Sequence, residues 1–473
     1  MDASISRSLR LQAIEVKTPL DPDWESYSST YNARIPATPE IVVLPGTIGQ
    51  VSQAVSCAAS HNLKVQARSG GHSYASHSNG GVDGSVVIDL RKLQDIYICA
   101  GDIVCVGGGV RLGKLASTIF KEGQRALAHG TCPTVGVGGH FTHGGFGLTS
   151  RAWGLAMDQI VAVDVVMADG RLVKASDSEN QDIFSAVRGA ADSFGIVVHF
   201  YLRTQPAPKS IVKWSLDVPE AMKSVENAIE AFVHLQNFAN DASLINRRLG
   251  FVAFLSHNRL TLEGTYIGDI DTFTSTTLTA LLRAFPKKEG IKAEFRQVDW
   301  LTLVRLLAGD TDLEVSLNYA EHHMFFAKSA VVSHPGLSRD ALESYFKYLF
   351  REGPSAPISY FIGAQLYGGA DSQITASTAT DSFGHRDAMW MFQHYGSVDN
   401  KTKFPEEGIR FVEGLNAALG PGHGASNNYA DDSLKPDEAG KLYYGEKLGR
   451  LMKLKAVLDP HDVFCHPQSV RKE

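Results

Sequence analysis

The sequence places a histidine and a cysteine beside glycine-rich turns. His72 follows Gly70–Gly71, and Cys132 lies just before the glycine-rich segment 136–147. Glycines let backbone amides approach a phosphate or a ring system closely. An imidazole nitrogen and a cysteine sulfur are also the usual nucleophiles for covalent attachment to a flavin. The pair therefore predicts a flavin site more specifically than either residue does alone.

Nucleotide and hydrolase motifs fit the same regions less well. Segments 136–141 and 107–112 carry Phe141 and Leu112 where the dinucleotide fingerprint requires its third glycine, and no P-loop is present. Ser73 lies in a half-complete nucleophile elbow whose fifth position is Ala75 instead of glycine. The sequence therefore disfavours a Rossmann site and a serine hydrolase.

A metal site is also disfavoured. His140 and His143 could bind a metal from one helix face, but the adjoining glycine pairs predict that no regular helix forms there. The sequence shows no third ligand. We therefore predict no metal.

Alternating strands and helices position the two nucleophiles. Ile41–Leu44 predicts a strand, and Thr47 with Gln50 predicts the cap of the next helix. Val65–Arg68 predicts a strand that leads directly to His72. A helix over 112–122, ended by the following glycine, precedes Cys132. Residues 37–205 therefore predict an α/β region.

The pattern of predicted strands and helices changes after Pro206 and Pro208. The sequence predicts a helix over 220–237, two strands within 247–268 around a turn at 257–258, a strand over 359–366 and a helix over 436–458. Mixed strands and helices favour an α+β second unit. The pattern therefore divides the chain near residue 206 and again near residue 426.

Composition excludes several classes of protein. The chain has 473 residues, of which 44% are hydrophobic, so it is not disordered. Its net charge is -6 without a long basic run, so we expect no nucleic-acid partner. No window approaches the ~18 apolar residues of a membrane span. The five cysteines form no CxxC pair, and the first residues show no apolar signal region, which favours the cytoplasm over a mature secreted form.

Five motifs together resemble the berberine-bridge-enzyme-like FAD oxidases of the vanillyl-alcohol-oxidase group, and among them the fungal glucooligosaccharide and chitooligosaccharide oxidases. The motifs are RSGGHSY at 68–74, GTCPTVGVGGH at 130–140, a glycine-poor version of RGGGGGNFGIV at 188–197, NYAD at 428–431 and VFCHPQS at 463–469. The resemblance implies an α+β, PCMH-type two-domain fold in which an antiparallel sheet of the substrate domain covers the flavin. It implies an FAD-binding domain over 1–205, a substrate domain over 206–425, and a segment over 426–473 that returns to the first domain.

The resemblance also implies roles for single residues. FAD would be attached twice, through His72 and Cys132, and Tyr429 would be the catalytic base, assisted by Gln365 and Tyr74. Val137 would face the flavin, and its small size would admit oxygen, so that O2 is the acceptor and hydrogen peroxide a product. The remaining cofactor contacts would be Ser69, Gly70, Gly71, Ser73, Gly138, Gly139, His140, Gly195, Ile196, Val197 and Asn427, and the substrate contacts Tyr74, Arg248, Gln365 and Gln393.

The chain departs from the family pattern at three positions. Gln365 replaces a carboxylate, Gly250 replaces a glutamate, and Ser8 replaces the cysteine expected to pair with Cys57. Two substrate classes therefore stay open: the reducing end of an oligosaccharide, and a secondary metabolite that undergoes alcohol oxidation or oxidative ring closure. A sugar site should offer exposed aromatic rings and polar groups, whereas a metabolite site should be more apolar and more closed. A flavoprotein that binds its ligand without turnover is disfavoured, because His72, Cys132 and Tyr429 are intact. We expect a monomer without a membrane partner.

Overall fold

The computed structural model describes residues 3–283, 285–318, 321–377 and 380–473. Its strands are β1 Glu15–Lys17, β2 Ile41–Leu44, β3 Val65–Arg68, β4 Val86–Asp89, β5 Ile96–Ile98, β6 Ile103–Gly107, β7 Arg125–Ala126, β8 Ile160–Val166, β9 Leu172–Ser176, β10 Ile196–Arg203, β11 Gln205–Pro206, β12 Ile211–Asp217, β13 Leu249–Ser256, β14 Arg259–Ile267, β15 Lys292–Val298, β16 Met324–Ser333, β17 Ser359–Leu366 and β18 Ala388–Val398.

Helices cover these strands. They are α1 Ala3–Leu11, α2 Glu25–Ser28, α3 Ile48–Ser60, α4 Leu112–Gly123, α5 Val137–Thr142, α6 Ser150–Trp153, α7 Gln181–Ala190, α8 Val225–Asn240, α9 Ile270–Thr272, α10 Thr279–Arg283, α11 Trp300–Leu307, α12 Arg339–Glu352, α13 Gln373–Ala376, α14 Glu406–Ala418, α15 Pro436–Tyr444 and α16 Leu448–Leu458. Within the described ranges, no helix is long and apolar enough to cross a membrane.

The first sheet places His72 at the end of a parallel strand. Its order is β1-β2-β4-β3, in which β2, β4 and β3 run parallel and β1 is antiparallel. Strand β3 is buried and ends at Arg68, whose guanidinium pairs with the buried Asp89 of β4. The chain returns here near its end, because Val65 forms a bridge with Phe464.

The second sheet supports the glycine-rich segment that follows Cys132. It is antiparallel, with the order β5-β6-β10-β8-β9. Its apolar face packs with α4 and α5 in one core, which includes Val106, Val165, Leu115 and Phe141. Burying these side chains fixes α5 against the sheet, and therefore fixes the turn that leads into it.

A seven-stranded antiparallel sheet forms the second unit. Its order is β15-β12-β14-β13-β17-β18-β16. One face packs against α8, α12 and α14, through residues such as Phe232, Phe346 and Phe411. Residues of the opposite face, among them Val331 and Met391, join the core of the second sheet. Since side chains alternate along a strand, every second residue of the central strands faces the first unit.

The predicted α+β two-unit fold is confirmed, and several predicted elements have the expected bounds, among them Ile41–Leu44, Val65–Arg68 and Ser359–Leu366. Three helix predictions are wrong in detail. The helix predicted over 220–237 runs from Val225 to Asn240, and the helix predicted over 436–458 breaks at Gly445, whose φ is +54°. His140 lies on the short helix Val137–Thr142 although glycines flank it, and His143 is the C-cap of this helix.

Candidate active site

A cavity of about 570 Å³ lies between the seven-stranded sheet and the two glycine-rich turns. Residues 69–74, from the turn after β3, line one part of it, and residues 130–132 with 138–140 line another. Gln365 of β17 and Gln393 of β18 line the side formed by the seven-stranded sheet. The fold thus brings to one space residues that are far apart in the sequence.

The two predicted nucleophiles meet at one end of this cavity. A nitrogen of His72, the Cys132 sulfur and a carboxylate oxygen of Glu321 all lie within 4.8 Å of one another. Tyr31 packs against His72, with ring centroids 4.4 Å apart. Burial, with Arg111 and His323 nearby, lowers the pKa of His72 to about 3, so its imidazole is neutral and nucleophilic at pH 7. The Cys132 sulfur is 3.1 Å from Thr134 Oγ1.

Such a set of donor atoms could serve two purposes. His, Cys and Glu are ordinary ligands of zinc. The same histidine and cysteine could form two bonds to neighbouring positions of one ring system, because both point into the same end of the cavity. The surrounding glycine turns decide between these uses, since a metal ion needs no such cradle.

The two glycine-rich turns touch backbone to backbone. A Cβ at Gly70 would lie 2.1 Å from the Gly136 nitrogen, so a side chain at Gly70 would clash. The Arg111 guanidinium donates to the carbonyl oxygens of both Gly70 and Thr134, and so ties the turns together. A Cβ at Gly139 would meet nothing within 4 Å, because this glycine faces open space. The turns therefore form a cradle of backbone amides that fits the diphosphate of a dinucleotide.

A tyrosine–glutamine pair lies where the cradle meets the sheet. Gln365 Nε2 donates a hydrogen bond of 2.8 Å to Tyr429 Oη. Burial raises the pKa of Tyr429, and the hydrogen bond from Gln365 partly opposes that rise. The phenol is therefore protonated at neutral pH, and the amide donor favours its phenolate.

A second pair repeats this arrangement. Gln393 Nε2 donates a hydrogen bond of 3.0 Å to Tyr74 Oη, and the rings of Tyr74 and Tyr429 are 5.6 Å apart. Gly363 stands opposite Gln393 in the strand register, two residues before Gln365. Both amides therefore project from the same face of the sheet.

Aromatic rings continue from this point toward the cavity mouth. Phe361, which is 39% exposed, stacks on Tyr395 at 5.0 Å and contacts Phe254 at 6.5 Å. Tyr395 in turn stacks on Phe325 at 4.8 Å. At ~3.3 Å per residue, Phe361 lies about 13 Å along β17 from Gln365.

Asp192 and His143 line another part of the cavity, and His466 lies on the other side of the Asp192 carboxylate. Asp192 Oδ2 is 3.1 Å from Nε2 of His143 and 3.1 Å from Nε2 of His466, whose ring packs 3.9 Å from that of His77. Although burial alone would raise it, the two histidines hold the pKa of Asp192 well below its ordinary value. Burial would lower the pKa of His143, but Asp192 raises it overall.

Two predicted site residues do not line the cavity. Val137 is fully buried in the core of the second sheet, because it is the first residue of α5 and packs inward. The structure therefore places Val137 in the core and not on the cavity wall, and its predicted role beside the flavin stays a prediction. Arg248 precedes β13, is exposed and does not line the cavity, so its role as a substrate contact stays a prediction. Gly250 could not carry the expected glutamate without rearrangement, since its Cβ would lie 2.0 Å from the Leu148 carbonyl oxygen.

The other predicted site residues line the cavity. They are Ser69, Gly70, Gly71, His72, Ser73, Tyr74, Cys132, Gly138, Gly139, His140, Gly195, Ile196, Val197, Gln365, Gln393, Asn427 and Tyr429. Ser73 is not placed as a hydrolase nucleophile, because its Oγ accepts a hydrogen bond from the His77 backbone at 2.9 Å. His140 Nε2 accepts one from Gly130 at 2.9 Å and so braces the turn that carries Cys132.

Sequence reasoning missed Tyr31, Glu321, Asp192 and Glu263, all of which contact the nucleophiles or line the cavity. No local motif marks Tyr31 or Glu321. Asp192 lies inside the quoted segment 188–197, but only the fold shows its two histidine partners. Ser8 and Cys57 line a common surface recess, and Cys57 is a free cysteine.

The fold and the cavity define an FAD-binding oxidoreductase. The family model described as "FAD binding domain" matches residues 39–176, and the model "Berberine and berberine like" matches residues 427–471. The chitooligosaccharide oxidase of Gibberella zeae is 32% identical, over 97% of this chain and 93% of that protein. The xylooligosaccharide oxidase of Thermothelomyces thermophilus is 34% identical, over 99% and 94%.

A solved structure of a third oligosaccharide oxidase has the same fold as this chain. The glucooligosaccharide oxidase of Acremonium strictum superposes with a TM-score of 0.94 at 29% identity, covering 99% of each chain, and its flavin is described as 6-S-cysteinyl, 8α-N1-histidyl FAD. The chain belongs to the berberine-bridge-enzyme-like, FAD-linked oxidases. It is an FAD-dependent oxidase, and FAD is its cofactor.

Proposed function

We propose that this enzyme oxidises the hemiacetal carbon at the reducing end of a neutral oligosaccharide to a lactone, with FAD attached through His72 and Cys132 and with O2 as the electron acceptor. The observation that carries the proposal is the presence, in one cavity, of two nucleophiles within 4.8 Å and a partly buried tyrosine that accepts a hydrogen bond from an amide of the seven-stranded sheet. When bound, FAD accepts the hydride and passes two electrons to O2, which yields hydrogen peroxide.

Each nucleophile suits its proposed bond. The neutral His72 imidazole has a nitrogen lone pair available for attachment, and the ring is braced by Tyr31. The Cys132 sulfur reaches the same end of the cavity. The corresponding double attachment is described for the glucooligosaccharide oxidase, which supports assigning it here.

Tyr429 is proposed as the base. As the hydride leaves the hemiacetal carbon, the hydroxyl on that carbon must lose its proton, and Tyr429 Oη is the acceptor. Gln365 cannot take a proton, but its Nε2–H stabilises negative charge on the phenol oxygen. Tyr74 and Gln393 hold the neighbouring part of the wall and offer a hydroxyl and an amide to the sugar.

The cavity favours a neutral sugar chain. Among the described residues, no Lys or Arg lines it, so a carboxylated substrate would find no cationic partner. Its polar wall includes Gln365, Gln393 and Glu263, and Phe361 exposes an aromatic face near the mouth. These are the features expected of a sugar site, and they fit an apolar secondary metabolite less well. Oligosaccharide oxidases among the relatives support the same class.

The direct test is flavin reduction without oxygen. Cellobiose, xylobiose and chitobiose would be mixed anaerobically with the enzyme while the yellow absorbance is followed. We expect at least one to bleach the flavin, and air to restore the colour with one peroxide per sugar oxidised. Cellobionic acid, which is already oxidised at the reducing end, is the matched control and should leave the flavin yellow. If none of the three sugars bleaches it, an oligosaccharide substrate is excluded.

A further inference from the structure

The side-chain oxygen of Gln365, beside the candidate base Tyr429, makes no hydrogen bond to the described residues. Its Nε2 donates to Tyr429 Oη, while its Oε1 has no hydrogen-bond partner among the residues that the structure describes. The side chain is only 7% exposed and lines the cavity. A buried amide oxygen without a hydrogen-bond donor destabilises the folded protein, so a ligand that donates a hydrogen bond to this atom would be bound favourably.

The neighbouring strands cannot supply that donor. Strand β17 lies between β13 and β18, and in the register Gln365 stands opposite Val252 on one side and Met391 on the other. Neither of these side chains carries a hydrogen-bond donor. Its Nε2 hydrogen bond to Tyr429 Oη orients the amide, so Oε1 turns away from Tyr429.

The position of this oxygen defines what it can bind. Oε1 and Nε2 are carried by the same carbon, so a substrate group that meets Oε1 lies next to the group that meets Tyr429 Oη. The hydroxyl that reacts must give its proton to Tyr429, and it is therefore not the donor to Oε1. The adjacent carbon of an aldose carries a second hydroxyl, which is a donor at the required side.

We propose that Gln365 Oε1 accepts a hydrogen bond from the hydroxyl on the carbon next to the oxidised one, and that Gln365 thereby selects sugars with a donor at C2. This inference rests on the proposed function and makes it more specific. Because an amide does not titrate, the selection should be independent of pH, unlike a selection made by a carboxylate.

Gln393 provides a matched comparison. It makes the same amide-to-phenol hydrogen bond, to Tyr74, and projects from the same sheet face. Its oxygen, however, is not among the buried atoms that lack a partner. Replacing either glutamine by methionine keeps the length of the side chain and removes its polar atoms.

The experiment measures anaerobic flavin reduction by cellobiose and by its analogue that lacks the C2 hydroxyl of the reducing unit. In the wild type we expect cellobiose to be preferred roughly 10- to 100-fold in the second-order rate constant, at every pH from 6 to 9. Gln365→Met should bring the preference to within about threefold, mainly by slowing the reaction of cellobiose, whereas Gln393→Met should slow the reactions of both sugars alike and so retain the wild-type preference.

The outcomes separate this inference from the proposed function. If the wild type reduces with both sugars at equal rates, or if Gln365→Met keeps the full preference, the role of Gln365 is overturned and the oxidase assignment stands. If neither sugar reduces the flavin, the proposed function fails and this inference fails with it. The wild-type comparison needs no variant to fold, and Gln365→Glu, which retains an acceptor, should preserve part of the preference.

Discussion

The imidazole of His72 and the thiol of Cys132 come within 4.8 Å of each other although they lie on different turns. One turn follows a parallel strand of the first sheet, and the other precedes a helix packed on the second sheet. Contact between Gly70 and Gly136 keeps the two turns together. The attachment site therefore depends on both sheets being assembled, and neither motif forms it alone.

The first prediction concerns the two flavin bonds. Acid-precipitated enzyme should stay yellow, and tryptic digestion should yield one flavin joined to the peptides of both His72 and Cys132. His72→Ala and Cys132→Ala should each retain one bond, and the double variant should lose the flavin on denaturation. Cys99→Ala, at an exposed cysteine, is the control and should keep both bonds. Flavin that washes out of denatured wild-type protein would contradict the assignment.

The second prediction concerns the base. Tyr429→Phe should slow flavin reduction by at least ~100-fold, because general-base catalysis contributes about that much. Tyr395→Phe removes a hydroxyl from the same sheet region but keeps the ring stacked on Phe325, and it should react like the wild type. Stopped-flow absorbance without oxygen measures both rates. An unchanged rate in Tyr429→Phe would remove Tyr429 from the mechanism.

The third prediction concerns pH. Burial raises the pKa of Tyr429 above its ordinary value of 10.0, so the phenolate fraction increases about tenfold per pH unit below that pKa. If the phenolate is the base, flavin reduction should accelerate with rising pH between 7 and 9. Gln365→Leu removes the donor that lowers this pKa, and should shift the profile to higher pH. A profile that is flat in the wild type, or equal in the variant, would contradict this role.

The fourth prediction concerns chain length. Phe361 lies about 13 Å along its strand from Gln365, far enough to meet a sugar unit beyond the reducing end. Phe361→Ala should raise the KM of cellotetraose several-fold while leaving that of cellobiose less affected, because only the longer chain reaches this ring. Phe361→Tyr keeps an aromatic face and should behave like the wild type. Equal changes in KM for both sugars would argue against a stacking role.

The fifth prediction concerns stability. Gly250→Ala places a Cβ 2.0 Å from the Leu148 carbonyl oxygen and should lower the free energy of unfolding by roughly 1–3 kcal/mol. Gly449→Ala is the control, because a Cβ there meets nothing within 4 Å and α16 should gain up to about 1 kcal/mol of helix propensity. Urea unfolding of the two holoenzymes compares them directly. Equal stability of Gly250→Ala and the wild type would show that the strand can shift away from Leu148.

Much of the site was predictable because it is encoded locally. The turns around His72 and Cys132 need glycines at fixed positions, and the NYAD segment carries Tyr429, so short motifs report them. Regular strands such as Val65–Arg68 and Ser359–Leu366 were predictable for a similar reason, since a short apolar run ended by a turn residue is visible in the sequence alone.

Two predicted site residues lie outside the cavity wall. Val137 lies in the correct segment, but helix α5 turns its side chain into the core, and a motif does not report which way a short helix is rotated. Arg248 was assigned by alignment, yet it precedes the first residue of β13 and is exposed. In both cases, packing between sheets decides the orientation.

The sequence by itself predicted the class of cofactor and the two attachment residues, because both depend on residues adjacent in the chain, and the family resemblance of its motifs added Tyr429 as the candidate base. Only the tertiary structure decided that Gln365 donates to Tyr429, that Asp192 holds two histidines, and that Tyr31 and Glu321 reach the nucleophiles. These contacts join residues from separate sheets and loops. They form when apolar faces of separate elements are buried against one another, and no single segment of the sequence predicts that packing geometry.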